Sequence, residues 1–338
     1  MDFMKVPSKP SLDLFVPLIL LTVGVASVLP AAGAFADVLG WATKIVIGLL
    51  FFIYGARLSP AQAWDGVKQW RLHGVVLAVT FVLFPLLGLA ARLLVPSVLT
   101  PDLYTGLLFL CLVPSTVQSS IAFTSMARGN VAGAIVSASF SNIIGIVLTP
   151  LLVLALMSTT GGGIDASSIV DIVLQLLAPF VLGQLLRPWL RAPMERHAAK
   201  TKLVDRGSIL LVVYAAFSEG MRQHIWGSVS ALRIVAVAVV CAVLLAVVLG
   251  LTAVLGKRLG FSRADRVVVL FCGSKKSLAA GLPMATVFFA GQPVGLIVLP
   301  LMIFHQVQLI VCSVLAQRFA RTAPAEDASA PQPVGTGS

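Results

Sequence analysis

The stretch LFCGSKKSLAAGLPMATVFFAG, Leu270–Gly291, is long and apolar enough to cross a bilayer, yet it carries Lys275 and Lys276 near its start. A spanning helix needs about 20 consecutive apolar residues. A lysine near the bilayer centre costs about 2.5–3.5 kcal/mol on an insertion scale. Two adjacent ammonium groups therefore need compensation, either from the protein around them or from water at the membrane edge.

The rest of the chain fixes the solvent. Its 338 residues are 58% hydrophobic and only 11% charged, with a mean hydropathy of +1.00. Soluble domains carry about 25% charged residues, so the composition is that of an integral membrane protein. The formal charge of +11 is read as cytoplasmic segments against anionic lipid headgroups. No basic run is interleaved with aromatic residues, which excludes nucleic acid as a partner. Cys111, Cys241, Cys272 and Cys312 all lie in apolar stretches. They spell neither a disulfide framework nor a metal site.

Ten apolar segments follow one another, near 12–30, 41–57, 73–95, 103–127, 130–157, 167–190, 207–221, 230–255, 265–290 and 293–317. Between Ser277 and Gln317 there is no charged residue, too long a run for one crossing; AGQP, Ala290–Pro293, divides it. Span seven is the shortest. Lys5, Lys9 and AGAFAD (Ala32–Asp37) have the outline of a signal peptide, but the intervening apolar run exceeds a signal core and is read as span one. With the amino terminus inside, 18 of the 24 Lys and Arg residues fall on cytoplasmic segments. Lys44, Arg92, Arg222 and Arg233 fall outside, and Lys275 and Lys276 are the remaining two. Both termini are therefore expected in the cytoplasm. The basic stretch LRAPMERHAAKTKLVDR is expected as a loop on anionic lipid.

The chain also repeats itself. GNVAGAIV (Gly129–Val136) matches GQPVGLIV (Gly291–Val298) at an offset of 162, and LLFFIYGA (Leu49–Ala56) matches ILLVVYAA (Ile209–Ala216) at 160. Five spans per repeat is an odd number, so the second copy runs inverted, as in secondary transporters with a site at the bilayer midplane. The expected division is a cytoplasmic amino terminus over 1–11, a first five-helix repeat over 12–157 and a connecting loop over 158–166. A second, inverted repeat covers 167–320, and a disordered cytoplasmic tail covers 321–338. Spans four and nine become equivalents, with Cys111 and Cys272 at matching positions. Both are interrupted. Pro114 precedes Ser115, Thr116, Gln118, Ser119 and Ser120, while Gly273 precedes Ser274, Lys275, Lys276 and Ser277, with Pro283 beyond. Pro114, Gly273 and Pro283 are the expected helix breaks. Broken helices expose backbone groups that are tolerable only against protein or a cavity.

The motifs VPSTVQSSIAFTSMARGN and FCGSKKSLAAGLPMA resemble the bile acid:sodium symporter superfamily, in particular its branch named after sodium/bile acid cotransporter 7. The resemblance covers about residues 12 to 320. It implies an all-α polytopic membrane protein of ten transmembrane helices. Spans one, two, six and seven would form a panel domain, and the others a core domain centred on the broken, crossing helices four and nine. It also implies secondary transport by alternating access. Sodium-coupled members carry a Glu and a Gln in span nine, and these positions fall on Phe271 and Lys275, with Lys276 at the following Asn. A phenyl ring cannot coordinate sodium and an ammonium repels it. The sodium sites are therefore expected to be altered, and no cofactor is expected.

The candidate binding residues are Lys275, Lys276, Ser274 and Ser277 in span nine, with Ser115, Thr116, Gln118, Ser119 and Ser120 in span four. Ser137, Ser141 and Asn142 are added in span five, and His305 and Gln306, which cluster with Gln308, in span ten. The lysines either snorkel to the cytoplasmic edge or face the central cavity. There an ammonium would hold spans four and nine together as a tethered cation, or contact an anionic substrate directly. A lysine that releases its proton would couple transport to protons. The expected partners are a small organic anion and membrane lipid. The alternatives are an ordinary sodium symporter and a membrane regulator of ion (calcium) homeostasis without bulk solute transport, since the branch has eukaryotic members associated with calcium homeostasis. An intramembrane enzyme is disfavoured because no HExxH, GxSxG or carboxylate pair is present.

Overall fold

The protein is described by a computed structural model covering residues 15–57, 69–157, 166–222 and 230–322. The expected amino-terminal segment 1–11, all but the last residue of the loop at 158–166, and the tail from 323 onward lie outside these residues. Among the described residues the regular structure is helical throughout. The chain runs through α1 (Phe15–Val28), α2 (Ala34–Arg57), α3 (Trp70–Ala78) and α4 (Phe84–Ala90), then α5 (Pro101–Leu112), α6 (Gln118–Met126) and α7 (Val131–Met157). It continues through α8 (Ala166–Arg196), α9 (Ala198–Arg222), α10 (Ala231–Arg258), α11 (Arg263–Gly273), α12 (Leu278–Phe288) and α13 (Val294–Arg321).

Six of the described segments are long and apolar enough to cross a membrane: Ala34–Ala56, Trp70–Leu94, Val131–Met157, Ala231–Arg258, Arg263–Phe288 and Val294–Arg321. Their outward faces carry apolar side chains that a soluble protein would bury, among them Ile45, Leu232 and Val239. The protein is a multi-pass membrane protein. Arg263–Phe288 differs from the others because 94% of its apolar window is enclosed by protein. The segment bearing the lysines is thus the centre of the molecule.

Two sets of helices surround it. Helices α1, α2, α8 and α9 pack on one another, and α3 to α7 pack with α10 to α13. The α2–α8 contact is close because small residues face backbone across it. A Cβ on Gly55 would collide with the Phe180 carbonyl, and one on Gly183 with the Phe52 carbonyl. Small residues at such crossings let two backbones approach in a membrane.

Local chemistry explains the interruptions. Val113 is extended (φ −75°, ψ 155°) because the ring of Pro114 disfavours helical geometry in the residue before it, so α5 stops at Leu112. Gly273 ends α11, and the Ser274 hydroxyl folds back on the Leu270 carbonyl at 2.6 Å. Ser277 then opens α12, its Oγ accepting from the Ala280 amide. Pro283 does not break the chain as expected: it lies inside α12, which continues through it. The interruption sits earlier, where groups from the link between α5 and α6 satisfy the freed backbone. Span seven is not short either, since α9 runs back to Ala198. The basic stretch expected as a loop is consequently helical, interrupted only at His197 between α8 and α9.

Candidate functional site

The two breaks meet face to face. The Ser277 amide donates to the Pro114 carbonyl at 2.8 Å, Ser115 Oγ to the Cys272 carbonyl at 2.6 Å, and Thr116 Oγ1 to the Lys276 carbonyl at 2.9 Å. Ser120 Oγ donates to the Phe271 carbonyl at 3.3 Å. The Phe271 and Cys272 carbonyls are acceptors left at the end of α11, and the Lys276 carbonyl and Ser277 amide belong to the break after it. The segment from Pro114 to Ser120 supplies their partners. Helix α7 secures the other break. Ser141 Oγ accepts from the Ser115 amide at 3.0 Å, and Asn142 Nδ2 donates to the Ser115 carbonyl at 2.7 Å. Ser137 is engaged elsewhere, with His73 Nδ1 at 2.7 Å.

Both lysines are fully buried, so neither snorkels. Lys276 Nζ donates to three main-chain carbonyls: Thr80 at 2.9 Å, Cys111 at 2.8 Å and Val113 at 2.8 Å. An ammonium has three N–H donors and no acceptor, so its capacity is filled. The carbonyls are available for identifiable reasons. At the π-helical turn Val79–Leu83, the Phe84 amide bonds to Val79 rather than to Thr80. Pro85, next in the wider register, has no N–H to offer Thr80. The Ser115 amide, which would have continued the ladder onto Cys111, is turned to Ser141 instead. The Phe84 ring covers the ammonium at 4.2 Å.

Lys275 is held differently. Its Nζ lies 3.8 Å from the centroid of Phe123 and 5.7 Å from that of Phe271, and no hydrogen-bond partner reaches it. Phe271 packs against Phe123 and Phe319 and is itself fully buried. Ser119 Oγ, one helical turn before Phe123, is also buried without a partner. Gln308 reads the backbone of Lys276: its Oε1 accepts from the Lys276 amide and its Nε2 donates to the Lys276 carbonyl, both at 2.9 Å. His305 Nδ1 lies 2.9 Å from the same Nε2. Gln306 is half-buried on α13 and, one residue on from His305, is turned about 100° from that face.

A cavity of about 290 Å³ lies beside this crossing, between the two helix sets. Thr116, Gln118, Asn142 and Ser277 supply polar atoms to it, and Phe51, Phe180 and Met284 supply apolar walls. Its charged residue is Arg206 of α9. Neither lysine lines it. The expected site residues thus separate into a buried crossing and an adjoining cavity, with Thr116, Asn142 and Ser277 belonging to both. Sequence reading missed three contributors. Arg206 was counted with the cytoplasmic charges. Thr80 acts through its carbonyl, which no side-chain pattern reveals. His73 stands alone at the start of its span.

Comparison with known proteins gives the family. The description "SBF-like CPA transporter family" matches residues 13–321. The chain belongs to that family. Relatives named sodium/bile acid cotransporter 7 place the transporter within the bile acid:sodium symporter superfamily. The rat protein of that name is 28% identical over 304 residues, covering 88% of this chain and 89% of its own. YfeH of Escherichia coli, named as a candidate symporter, is 48% identical over 310 residues, 92% and 93% of the two chains. An uncharacterized Pseudomonas aeruginosa protein is 54% identical over 312 residues, 91% and 93% of the two chains.

Proposed function

We propose that the transporter moves a small organic anion across a bacterial cytoplasmic membrane by alternating access, independently of sodium at the positions altered in span nine. The observation that carries this reading is the cavity between the two helix sets, lined mainly by apolar side chains and provided with one guanidinium at Arg206. Such a lining suits a solute with a hydrophobic body and one anionic group. In this reading α1, α2, α8 and α9 form the panel. The remaining helices form the core, ten crossings arise from two inverted repeats, and both termini face the cytoplasm. Rocking of core against panel would then expose the cavity to either side in turn.

The aromatic surroundings of Lys275 support the sodium-independent part. A phenyl ring stands at Phe271, the position where the family resemblance implies a carboxylate in sodium-coupled members, and its neighbours are Phe123 and Phe319. The purified transporter in liposomes, challenged with radiolabelled organic anions from monocarboxylates to conjugated bile acids, tests the proposal. Saturable uptake that persists when choline replaces sodium, and falls in Arg206→Gln, is expected. Stimulation by a sodium gradient would return the transporter to ordinary sodium symport. A proton gradient that drives uptake would identify the coupling ion.

A further inference from the structure

We propose that the carbonyls of Thr80, Cys111 and Val113, closed by the face of Phe84, form a monovalent-cation hole that Lys276 fills from within the chain. Once the lysine is truncated, the hole binds a free primary ammonium ion. This deepens the proposed function at the same crossing, but it rests on the geometry of the hole and is read by stability rather than by transport.

The hole is made of backbone. Each oxygen is one that a helix discontinuity has set free: the π-helical turn beside Pro85 for Thr80, and the break at Pro114 for Cys111 and Val113. Among the described residues no side-chain carboxylate contributes, and the ring of Phe84 offers its electron-rich face at 4.2 Å. Three acceptors at 2.8–2.9 Å match the three donors of a primary ammonium, at the distances of charge-assisted N–H···O bonds. A bare sodium ion would need closer oxygens and a fuller coordination shell. A quaternary ammonium would bring no donors at all. The backbone carrying the lysine is independently fixed by Gln308 and Thr116, so removing the side chain leaves residue 276 in place at the mouth of the hole.

Thermal unfolding of Lys276→Ala in detergent tests this, with n-propylammonium, tetramethylammonium and sodium chlorides added at equal ionic strength to the variant and to the unaltered protein. The expected result is a variant with a lowered Tm that n-propylammonium raises by several degrees in a saturable manner. The other two salts should act only as they do on the unaltered protein. Equal responses to all three salts, or a larger one to sodium, would overturn the proposal. Should Lys276→Ala give no folded protein, its expression with n-propylammonium in the medium should restore the monodisperse peak, and failure to do so counts against the hole. Lys276→Met, of similar length and without charge, should melt lower than the unaltered protein. Equal stability would also overturn the proposal. Lost transport in a variant whose Tm is still rescued would affect the transport mechanism and leave the hole standing.

Discussion

The side-chain amide of Gln308 pairs with both main-chain polar groups of Lys276, accepting from its N–H and donating to its carbonyl at 2.9 Å each. The pairing copies what one strand offers another, at a residue whose helix has just ended. Helix α13 thereby fixes the backbone from which the ammonium reaches the π-helical turn Val79–Leu83 and the end of α5.

Replacing Gln308 with Leu removes one donor and one acceptor from a buried site; the Lys276 carbonyl keeps Thr116 Oγ1 as a donor, and the Lys276 N–H is left unpaired. The expected cost is about 1–3 kcal/mol, from the penalty for a buried unsatisfied group. A fall in Tm of the detergent-purified protein checks it. Gln308→Glu keeps the acceptor, loses the donor and sets a carboxylate against the Lys276 carbonyl, so it should also melt below the unaltered protein.

The two lysines should respond oppositely to neutralisation. Lys275 has no hydrogen-bond partner, so Lys275→Met removes a buried charge held only by aromatic faces and should be neutral or stabilising. Lys276→Met leaves three carbonyls without their shared donor and should lower the Tm. Melting both variants side by side decides this, and a large loss in Lys275→Met would contradict the assignment.

Arg206 is the charged residue of the cavity lining. If it holds the anionic group of the solute, Arg206→Gln should raise the KM for uptake about tenfold, the loss of one charge-assisted hydrogen bond of about 1.4 kcal/mol. Arg206→Lys should recover part of that loss. Uptake by liposomes over a range of solute concentrations separates KM from maximal rate.

The α2–α8 crossing tolerates no side chain at Gly55 or Gly183, because each faces the opposite backbone. Either glycine changed to alanine forces the helices apart and should cost about 1–3 kcal/mol by overpacking. Gly48 and Gly207, with open space around them, are the controls. Folded yield by size exclusion distinguishes the two pairs.

Sequence alone determined that this is a helical membrane protein, because its solvent is written in the uncharged runs from Ile234 to Gly256 and from Ser277 to Gln317. It also located the two breaks. Pro114 and the hydroxyls after it, and Gly273 before the lysines, are local chemistry that acts on the backbone beside it. Tertiary structure decided what the lysines meet. Snorkelling, cavity and tethered-cation readings were all compatible with GSKKS, because reach and burial depend on helices distant in the chain. The partners of Lys276 are carbonyls at 80, 111 and 113, which every residue possesses; only a π-helical turn and a broken helix make those three free. Arg206 shows the same limit from the other side. Its position in a basic run suggested lipid, and the extension of α9 back to Ala198 brought it to the cavity instead. Pro283 was legible as a helix breaker and did not act as one, because the break forms where a facing segment can satisfy the freed groups, and the link between α5 and α6 provides that from Cys272 to Ser277.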